Sequence, residues 1–474
     1  MQFDVVIVGG GIAGLACAVA LGDSGLRVGV FESSPALGGR ACSWTDRRTG
    51  DDVDLGPHIV LTEYRNMLAF LEQLGTRDRI VWETRRLLRL REGRRITDMR
   101  VHALPPPLHL MPSFVRARSI SCADLLSNRR VLWRAMRMTE QQVKALDRVA
   151  ASEWLRHCGV SSRFIGWFWA TACISVLNVP LERCSAGALM RVFSQLAGLK
   201  KYAIGFADVA LADLFVPASV RHIETAGGRI VTGARVNRIV VEEGRFVSIV
   251  LEGGERVEAR TCVAAVPPQS LARLLPDGWQ RTRPFSALDS FEPSPYISCY
   301  LWFDRKLSGE KFWARIWNPA GLNTDFYDLS NIRREWRGRA GSVMASNIIY
   351  SHRAAGLDDE QIVARTVGEI QEGLPAAGRA GVRHAVVNRI PMAVACPTPG
   401  CERNRPATRT PIQGLLLAGD WTDTGLPASM ESAVHSGWAA AETILRSQGQ
   451  PRRLVLPKRE PEGIAGWVHR YGAR

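Results

Sequence analysis

The sequence predicts an α/β protein in which a Rossmann-type dinucleotide domain is interleaved with a second domain of mixed sheet and helices. Three observations carry this. Val5-Val6-Ile7-Val8 is a continuous apolar run, as for a strand buried on both faces, and it leads into G-x-G-x-x-G at Gly9, Gly11 and Gly14. Near the other end, Leu415-Leu416-Leu417-Ala418-Gly419-Asp420 reads as a second buried strand ending in an acid, with a helix over 427–445 after it. Between them, 236–239, 246–251 and 296–303 have the β-rich character of antiparallel strands.

Residues 15–21 (LACAVAL) form the helix after the glycines, and 26–31 (LRVGVF) the next strand, which ends at Glu32, 18 residues after Gly14. In a dinucleotide site the first glycine allows the tight turn, the second lets backbone approach a pyrophosphate, and the third lets helix and strand pack closely. The helix N-terminus offers free N–H groups to the phosphates. Glu32 can accept both ribose hydroxyls and would repel a 2′-phosphate. The strand–turn–helix–strand setting lifts the motif above an ordinary glycine-rich turn. On these residues alone the cofactor is NAD or FAD.

Gly38-Gly39-Arg40 completes E-x-x-x-x-x-G-G-R from Glu32, and Asp54-Leu55-Gly56-Pro57-His58 follows. This resembles the FAD fingerprint of the flavin amine oxidase and carotenoid desaturase superfamily. The resemblance implies a GR2-type FAD-binding domain, with FAD held by Gly9, Gly11, Ile12, Ala13, Gly14 and Glu32. It also implies Gly39 and Arg40 at the flavin side of the pyrophosphate and the Val236 backbone at the adenine. Asp420 would bind ribityl or pyrophosphate groups, and the helix start at Met430 would lie beneath flavin O2, where its N–H groups stabilise negative charge. The implied division is FAD-binding parts at 1–95, 205–275 and 385–446, substrate or membrane-contact parts at 96–204 and 276–384, and a basic tail at 447–474.

The composition, 46% hydrophobic and 8% aromatic, suits a sizeable core. The net charge of +15 comes from 61 basic residues of which six are lysines. No nucleic-acid-binding motif accompanies that charge, so an anionic membrane surface is the better partner. The 10 cysteines are scattered, without C-x-x-C or a metal-like cluster, and read as reduced thiols of a cytosolic protein. No metal site is expected, and the first residues lack a basic n-region.

Along the chain, 63–74 has helical spacing, and 77–100 suggests strands about a Glu92-Gly93 turn. The proline-dense stretch 104–114 argues against helix or central strand. Residues 125–138 form a basic amphipathic helix bearing Trp133, suited to a membrane surface or to a solvated face. The uncharged stretch 164–181 reads as a buried helix lining an apolar pocket rather than a span. Helices are also expected over 211–226 and 358–372, and strands over 326–329 and 342–349. The tail from Pro451 is expected to be loose, with Trp467 as a docking contact.

Three reactions are open to such a flavoprotein. Flavin amine oxidases typically place an aromatic before the segment at Met430, where this chain has Gly425-Leu426-Pro427-Ala428-Ser429. Trp302-Phe303-Asp304-Arg305 instead resembles both the plant-type desaturases and the hydroxysqualene dehydroxylases, and Leu104-Pro105-Pro106-Pro107-Leu108-His109-Leu110, Leu177-Asn178-Val179-Pro180 and Thr424-Gly425-Leu426-Pro427-Ala428-Ser429-Met430-Glu431 look most like the dehydroxylases. These are bacterial relatives of plant-type phytoene and ζ-carotene desaturases; Ser432 departs from the usual glycine. The resemblance implies reductive removal of the allylic hydroxyl of hydroxysqualene to give squalene, on the hopanoid or sterol route. The alternatives are phytoene or ζ-carotene desaturation and, second, amine oxidation. The leaving hydroxyl needs a proton donor, for which His58 is the candidate, and Arg305 is the candidate to orient a polar group or quinone. With no second G-x-G-x-x-G, electrons are expected to pass to or from an external quinone or reductase. A long-chain isoprenoid is insoluble, so the protein is expected in the cytoplasm, peripheral on the inner membrane face, contacting it through 104–114 and 125–138.

Overall fold

Two seven-stranded sheets organise the chain in the computed structural model, which describes residues 3–471. The first has Phe3–Val8 at its centre, between parallel Val28–Phe31 and Arg256–Ala264. Arg229–Val231 extends one side and Leu415–Leu417 joins Arg256–Ala264, both in parallel. The apolar runs of Phe3–Val8, Val28–Phe31 and Leu415–Leu417 are buried on both faces, which is why they lack the in–out alternation of a half-solvated strand. Val236–Glu242 and Arg245–Leu251 form the expected antiparallel hairpin. Its two turn residues, Glu243 (φ 50°) and Gly244 (φ 74°), both hold positive φ, as a tight two-residue hairpin turn requires.

Helix Ile12–Gly22 covers one face, and Met430–Ser447 packs across it. Their approach depends on Gly437, where a Cβ would stand 2.3 Å from the Ala13 carbonyl oxygen. The N-terminal and C-terminal parts of the dinucleotide fold are thus clamped together by a missing side chain.

The second sheet runs in the order Val382–Ala395, Pro293–Phe303, Val343–Ile349, Asp325–Asp328, Phe312–Arg315, Leu88–Glu92 and Arg95–Met99. The expected breaks at 95/96 and 384/385 therefore fall inside strands of this sheet. Helix Asp359–Gly373 packs on one of its faces, and short helices between 111 and 198 pack on the other. Cross-strand register aligns Asn388, Ser298, Asn347 and Asp325 in one polar row.

Three expectations change. Met111–Arg116 is helical despite the prolines, because Pro112 sits in the first turn, where its missing N–H would have no helical partner anyway. Residues 125–138 are divided into Cys122–Ser127 and Arg129–Arg137 at Asn128, whose backbone N–H turns to the Leu125 carbonyl while its side-chain Nδ2 takes the Asp124 carbonyl. The tail is docked rather than loose. Leu454 and Val455 donate their N–H groups to Glu442, Leu456 donates to Asn66 (2.8 Å), and Gly463–Tyr471 is a helix. That helix buries Ala465 and Val468, while Trp467 is 61% exposed. Residues 164–181 are, as expected, a buried helical stretch, Ile165–Trp169 in π geometry and then Ala170–Leu177. Among the described residues no helix is long and apolar enough to cross a membrane.

Candidate active site

The first strand delivers the glycine loop to one wall of a cavity of about 1570 Å³. Gly9 has φ +108°, and a Cβ there would meet the Ala265 carbonyl oxygen at 2.5 Å. A Cβ at Gly14 would lie 2.0 Å from the Gly9 carbonyl oxygen, so the helix can start this close to the turn only with glycine. Gly11 differs. A Cβ there has no atom nearer than Gly39 Cα at 4.0 Å, and Gly11 lines the cavity. A side chain would fill the space in which a pyrophosphate can approach the backbone.

Glu32 lines the same cavity from the end of its strand. Its Oε2 accepts the Gly10 N–H at 2.7 Å and its Oε1 the Ser34 N–H at 2.8 Å, which fixes the carboxylate beside the loop. Ile12, Ala13, Gly39 and Val236 line the cavity too. Gly14 does not; its role is the close packing just described.

Arg40 and Asp420, expected in separate roles, form a two-bonded ion pair, Nη2 to Oδ1 at 2.7 Å and Nη1 to Oδ2 at 3.1 Å. Arg40 Nη1 also donates to the Ala393 carbonyl at 2.6 Å. Burial opposes the guanidinium charge, but Asp420 outweighs it and holds the Arg40 pKa above its ordinary value. Met430 opens its helix beside this pair, capped by the Ser429 hydroxyl, which accepts the Ser432 N–H. Glu431 faces away from that role. It is buried and accepts from the Asn66 and Met67 N–H groups, tying this helix to Arg65–Gln73. The donor set fits FAD: a carboxylate for ribose at one end, a glycine loop between, and a guanidinium and helix N-terminus at the other.

His58 also lines the cavity, with Nδ1 2.8 Å from the Gly56 carbonyl oxygen. Burial lowers its pKa, so the ring is neutral near neutral pH. Donation from Nδ1 then leaves Nε2 an acceptor, which favours a base or hydrogen-bond acceptor over the expected proton donor. Arg305 is not brought to the site. It follows the Pro293–Phe303 strand, is exposed, and pairs with neighbouring Asp304 at 3.1 Å. Arg305→Ala is expected to leave flavin content and turnover within about twofold of the parent, since exposed pairs of this kind contribute little; a steady-state assay checks this.

Away from the glycine loop the cavity becomes an apolar arm between the second sheet and the helices, walled by Leu125, Val131, Phe164, Phe168, Val192 and Phe193. Polar side chains interrupt it, among them buried His109 and Thr171 and, on the second sheet, a cluster about Asp325. Asp325 accepts from Tyr327 Oη (2.5 Å), Thr324 Oγ1 (2.6 Å) and Asn347 Nδ2 (3.3 Å). Beside it the Tyr296 hydroxyl donates to Asn178 Oδ1. Burial raises the Asp325 pKa, against the lowering by those three donors. Sequence reasoning missed this group, having started the strand one residue later, at 326. The available signal was a pair of aromatics flanked by acids in D-F-Y-D.

The pattern of the flavin containing amine oxidoreductase family matches residues 12–445. The chain is 28% identical to 15-cis-phytoene desaturase of Synechococcus elongatus, over 95% of this chain and 97% of that one. It is 24% identical to a probable ζ-carotene desaturase of the same organism, over 94% and 99%. Among solved structures, cyclohexylamine oxidase from Brevibacterium oxydans shares the fold with a TM-score of 0.69 at 17% identity, over 95% of this chain and all of that one. With a family match that runs from the glycine loop to the last cofactor helix, the chain belongs to the flavin-containing amine oxidoreductases and is an FAD-dependent oxidoreductase.

Proposed function

We propose that this enzyme reductively removes the allylic hydroxyl of a long isoprenoid alcohol, converting hydroxysqualene to squalene. The observation that carries the reading is a largely apolar arm with the buried Asp325 cluster in its wall. The cavity exceeds the ~300–1,000 Å³ of ordinary ligand pockets, leaving room for a long chain beside the dinucleotide. A pure hydrocarbon has no use for Asp325 and its tyrosines, whereas an alcohol does. The resemblance of 424–431 and 104–110 to hydroxysqualene dehydroxylases supports the same reading.

Bound FAD, once reduced by an external quinone-linked or reductase partner, supplies a hydride. The protein's own residues do the rest. Glu32, the glycine loop and the Arg40–Asp420 pair hold the cofactor, and the apolar arm orients the chain and excludes water. Flavin-loaded protein incubated in detergent with hydroxysqualene is expected to form squalene only under reducing conditions, as read by mass spectrometry.

The named relatives favour a second reading, desaturation of phytoene or ζ-carotene. New conjugated double bonds from phytoene, with hydroxysqualene untouched, would replace the first reading with this one. Peroxide release with an amine would point instead to amine oxidation, for which 425–429 supplies no aromatic.

Such substrates reside in bilayers, and we place the enzyme peripherally on an anionic membrane, on its cytoplasmic face. Segments that wall the arm expose Leu108, Val115, Leu126 and Trp133 beside arginines 116, 118, 129 and 130. Val115 and Trp133 do not line the cavity. Replacing both by Glu is expected to weaken binding to anionic vesicles about tenfold or more. Turnover in detergent should be kept, and a vesicle co-sedimentation assay run alongside turnover checks both halves.

A further inference from the structure

The polar row across the second sheet divides into two halves with different fates. Ser298 Oγ donates to the Leu55 carbonyl (2.7 Å), and Asn388 Nδ2 donates to Ser298 Oγ (3.1 Å). These two residues pin the segment leading to His58. Asn347 and Asp325 face the cavity instead. Asn347 Nδ2 donates to Asp325, but Asn347 Oδ1 is buried and has no hydrogen-bond partner. Gly56 sits beside that oxygen: a Cβ there would be in van der Waals contact with it, at 3.9 Å.

Asp325 is 5% exposed, and no Arg or Lys is paired with it among the described residues. A buried carboxylate without a cation is costly, which shifts Asp325 toward the neutral acid against the three hydrogen bonds it accepts. A carboxylic acid has one proton to donate, and the orphaned Asn347 oxygen wants one to accept. An alcohol satisfies both at once, accepting from the acid and donating to the amide. A hydrocarbon satisfies neither and leaves a buried acceptor unpaired, a cost of the kind that sites use to reject analogues lacking a hydroxyl.

We propose that Asp325 and Asn347 form a hydroxyl-binding subsite in the cavity wall, and that Asp325 donates the proton with which the substrate hydroxyl leaves as water. This rests on the dehydroxylation reading. The allylic C–O bond breaks with its electron pair going to oxygen, which takes the Asp325 proton and departs as water. The carbon takes a hydride, two electrons and a proton, from reduced FAD. Asp325 is left a carboxylate, held by Tyr327, Thr324 and Asn347, and regains its proton from solvent before the next turnover. The cluster thus stabilises the charged acid at the stage when the charge exists.

The test uses flavin-loaded protein in detergent, with hydroxysqualene and squalene as probes. Binding is read as a change in flavin absorbance, and turnover by mass spectrometry. Wild type is expected to bind hydroxysqualene more tightly than squalene. Asp325→Asn can still hydrogen-bond the hydroxyl but cannot give it a proton. Its kcat is expected to fall about 100-fold or more, with KM and flavin content kept and the carboxylic-acid C=O stretch lost from its infrared spectrum. Asn347→Leu keeps the shape and removes the acceptor, so it should lose the preference for the alcohol. A purely structural Asp325 would instead lower flavin content or move kcat and KM together.

An Asp325→Asn kcat within about threefold of wild type would overturn proton donation, set against the at least hundredfold expected of a lost general acid. Equal affinity of wild type for the two probes would overturn the subsite. If wild type makes no squalene, the dehydroxylation reading fails by itself. The subsite then stands or falls on the binding preference and its loss in Asn347→Leu, which also decides the matter if Asp325→Asn does not fold.

Discussion

Gly14→Ala is expected to yield a protein that no longer retains flavin. The added carbon would lie 2.0 Å from the Gly9 carbonyl oxygen and 3.3 Å from Ile7 Cγ2. Neither neighbour can yield cheaply. Ile7 is fully buried in the central strand, and Gly9 is held at φ +108° where even a Cβ would stand 2.5 Å from the Ala265 carbonyl oxygen. Overpacking a rigid contact costs about 1–3 kcal/mol, and relief comes by swinging the helix start away from the turn. That movement takes the free N–H groups out of the geometry that receives a pyrophosphate. FAD affinity is expected to drop about 100-fold or more, roughly 2.7 kcal/mol, and the apoprotein should melt earlier. Gly11→Ala is the informative companion, because its Cβ meets open cavity rather than protein. It should leave apoprotein stability near the parent value yet still weaken FAD. Flavin titration and thermal unfolding of both variants separate a packing role from a ligand-contact role.

The same contrast explains what the sequence made legible. The glycine loop, its helix and Glu32 are local, and each residue type is required within a stretch of the chain short enough to read. The hairpin at 236–251 was legible for the same reason, since its turn residues and alternation are contiguous. The Arg40–Asp420 pair was not. Each residue belongs to a recognisable motif, but their contact spans 380 positions and reflects how two motifs dock. The tail was misjudged because its anchors, Asn66, Glu442 and Gly198, are nowhere near it in the chain or not on its own segment.

Register hid the substrate side. Alternation identifies a strand and its two faces, but not which residue of a neighbouring strand comes to lie beside it. Phe326 turns to one side of its strand and stacks on Trp313, with ring centroids 4.1 Å apart, so Asp325 and Tyr327 turn to the other. Asp325 becomes a site residue only because register sets it against Asn347, and Asn347 against Ser298. Arg305 fails for the converse reason. Its motif adjoins a strand that does wall the cavity, yet the arginine lies past that strand's end, in solvent.

Arg333→Ala should be among the most destabilising single substitutions in this chain. Its guanidinium donates to Asp54 Oδ2 at 2.7 Å and to the Asp52 carbonyl, and lies 4.6 Å from the Trp336 ring centroid. Both side chains are almost fully buried, 4% and 9% exposed. Truncating the arginine leaves the Asp54 carboxylate with the Leu211 N–H and the Ser43 hydroxyl but no cation. Removing one partner of such a buried pair typically costs about 3–5 kcal/mol. Arg77→Ala is the control. Its pair with Glu72 has nearly the same length, 2.8 Å, but both partners are more than half exposed, and surface pairs contribute about 0–1 kcal/mol. Denaturant unfolding should therefore separate two arginines whose salt bridges look alike on distance. Equal effects would mean that solvent reaches Asp54. The consequence for function follows from position, because Asp54 immediately precedes the segment that carries Gly56 and His58 into the cavity. Loss of Arg333 is expected to lower flavin retention along with stability, whereas Arg77→Ala should change neither.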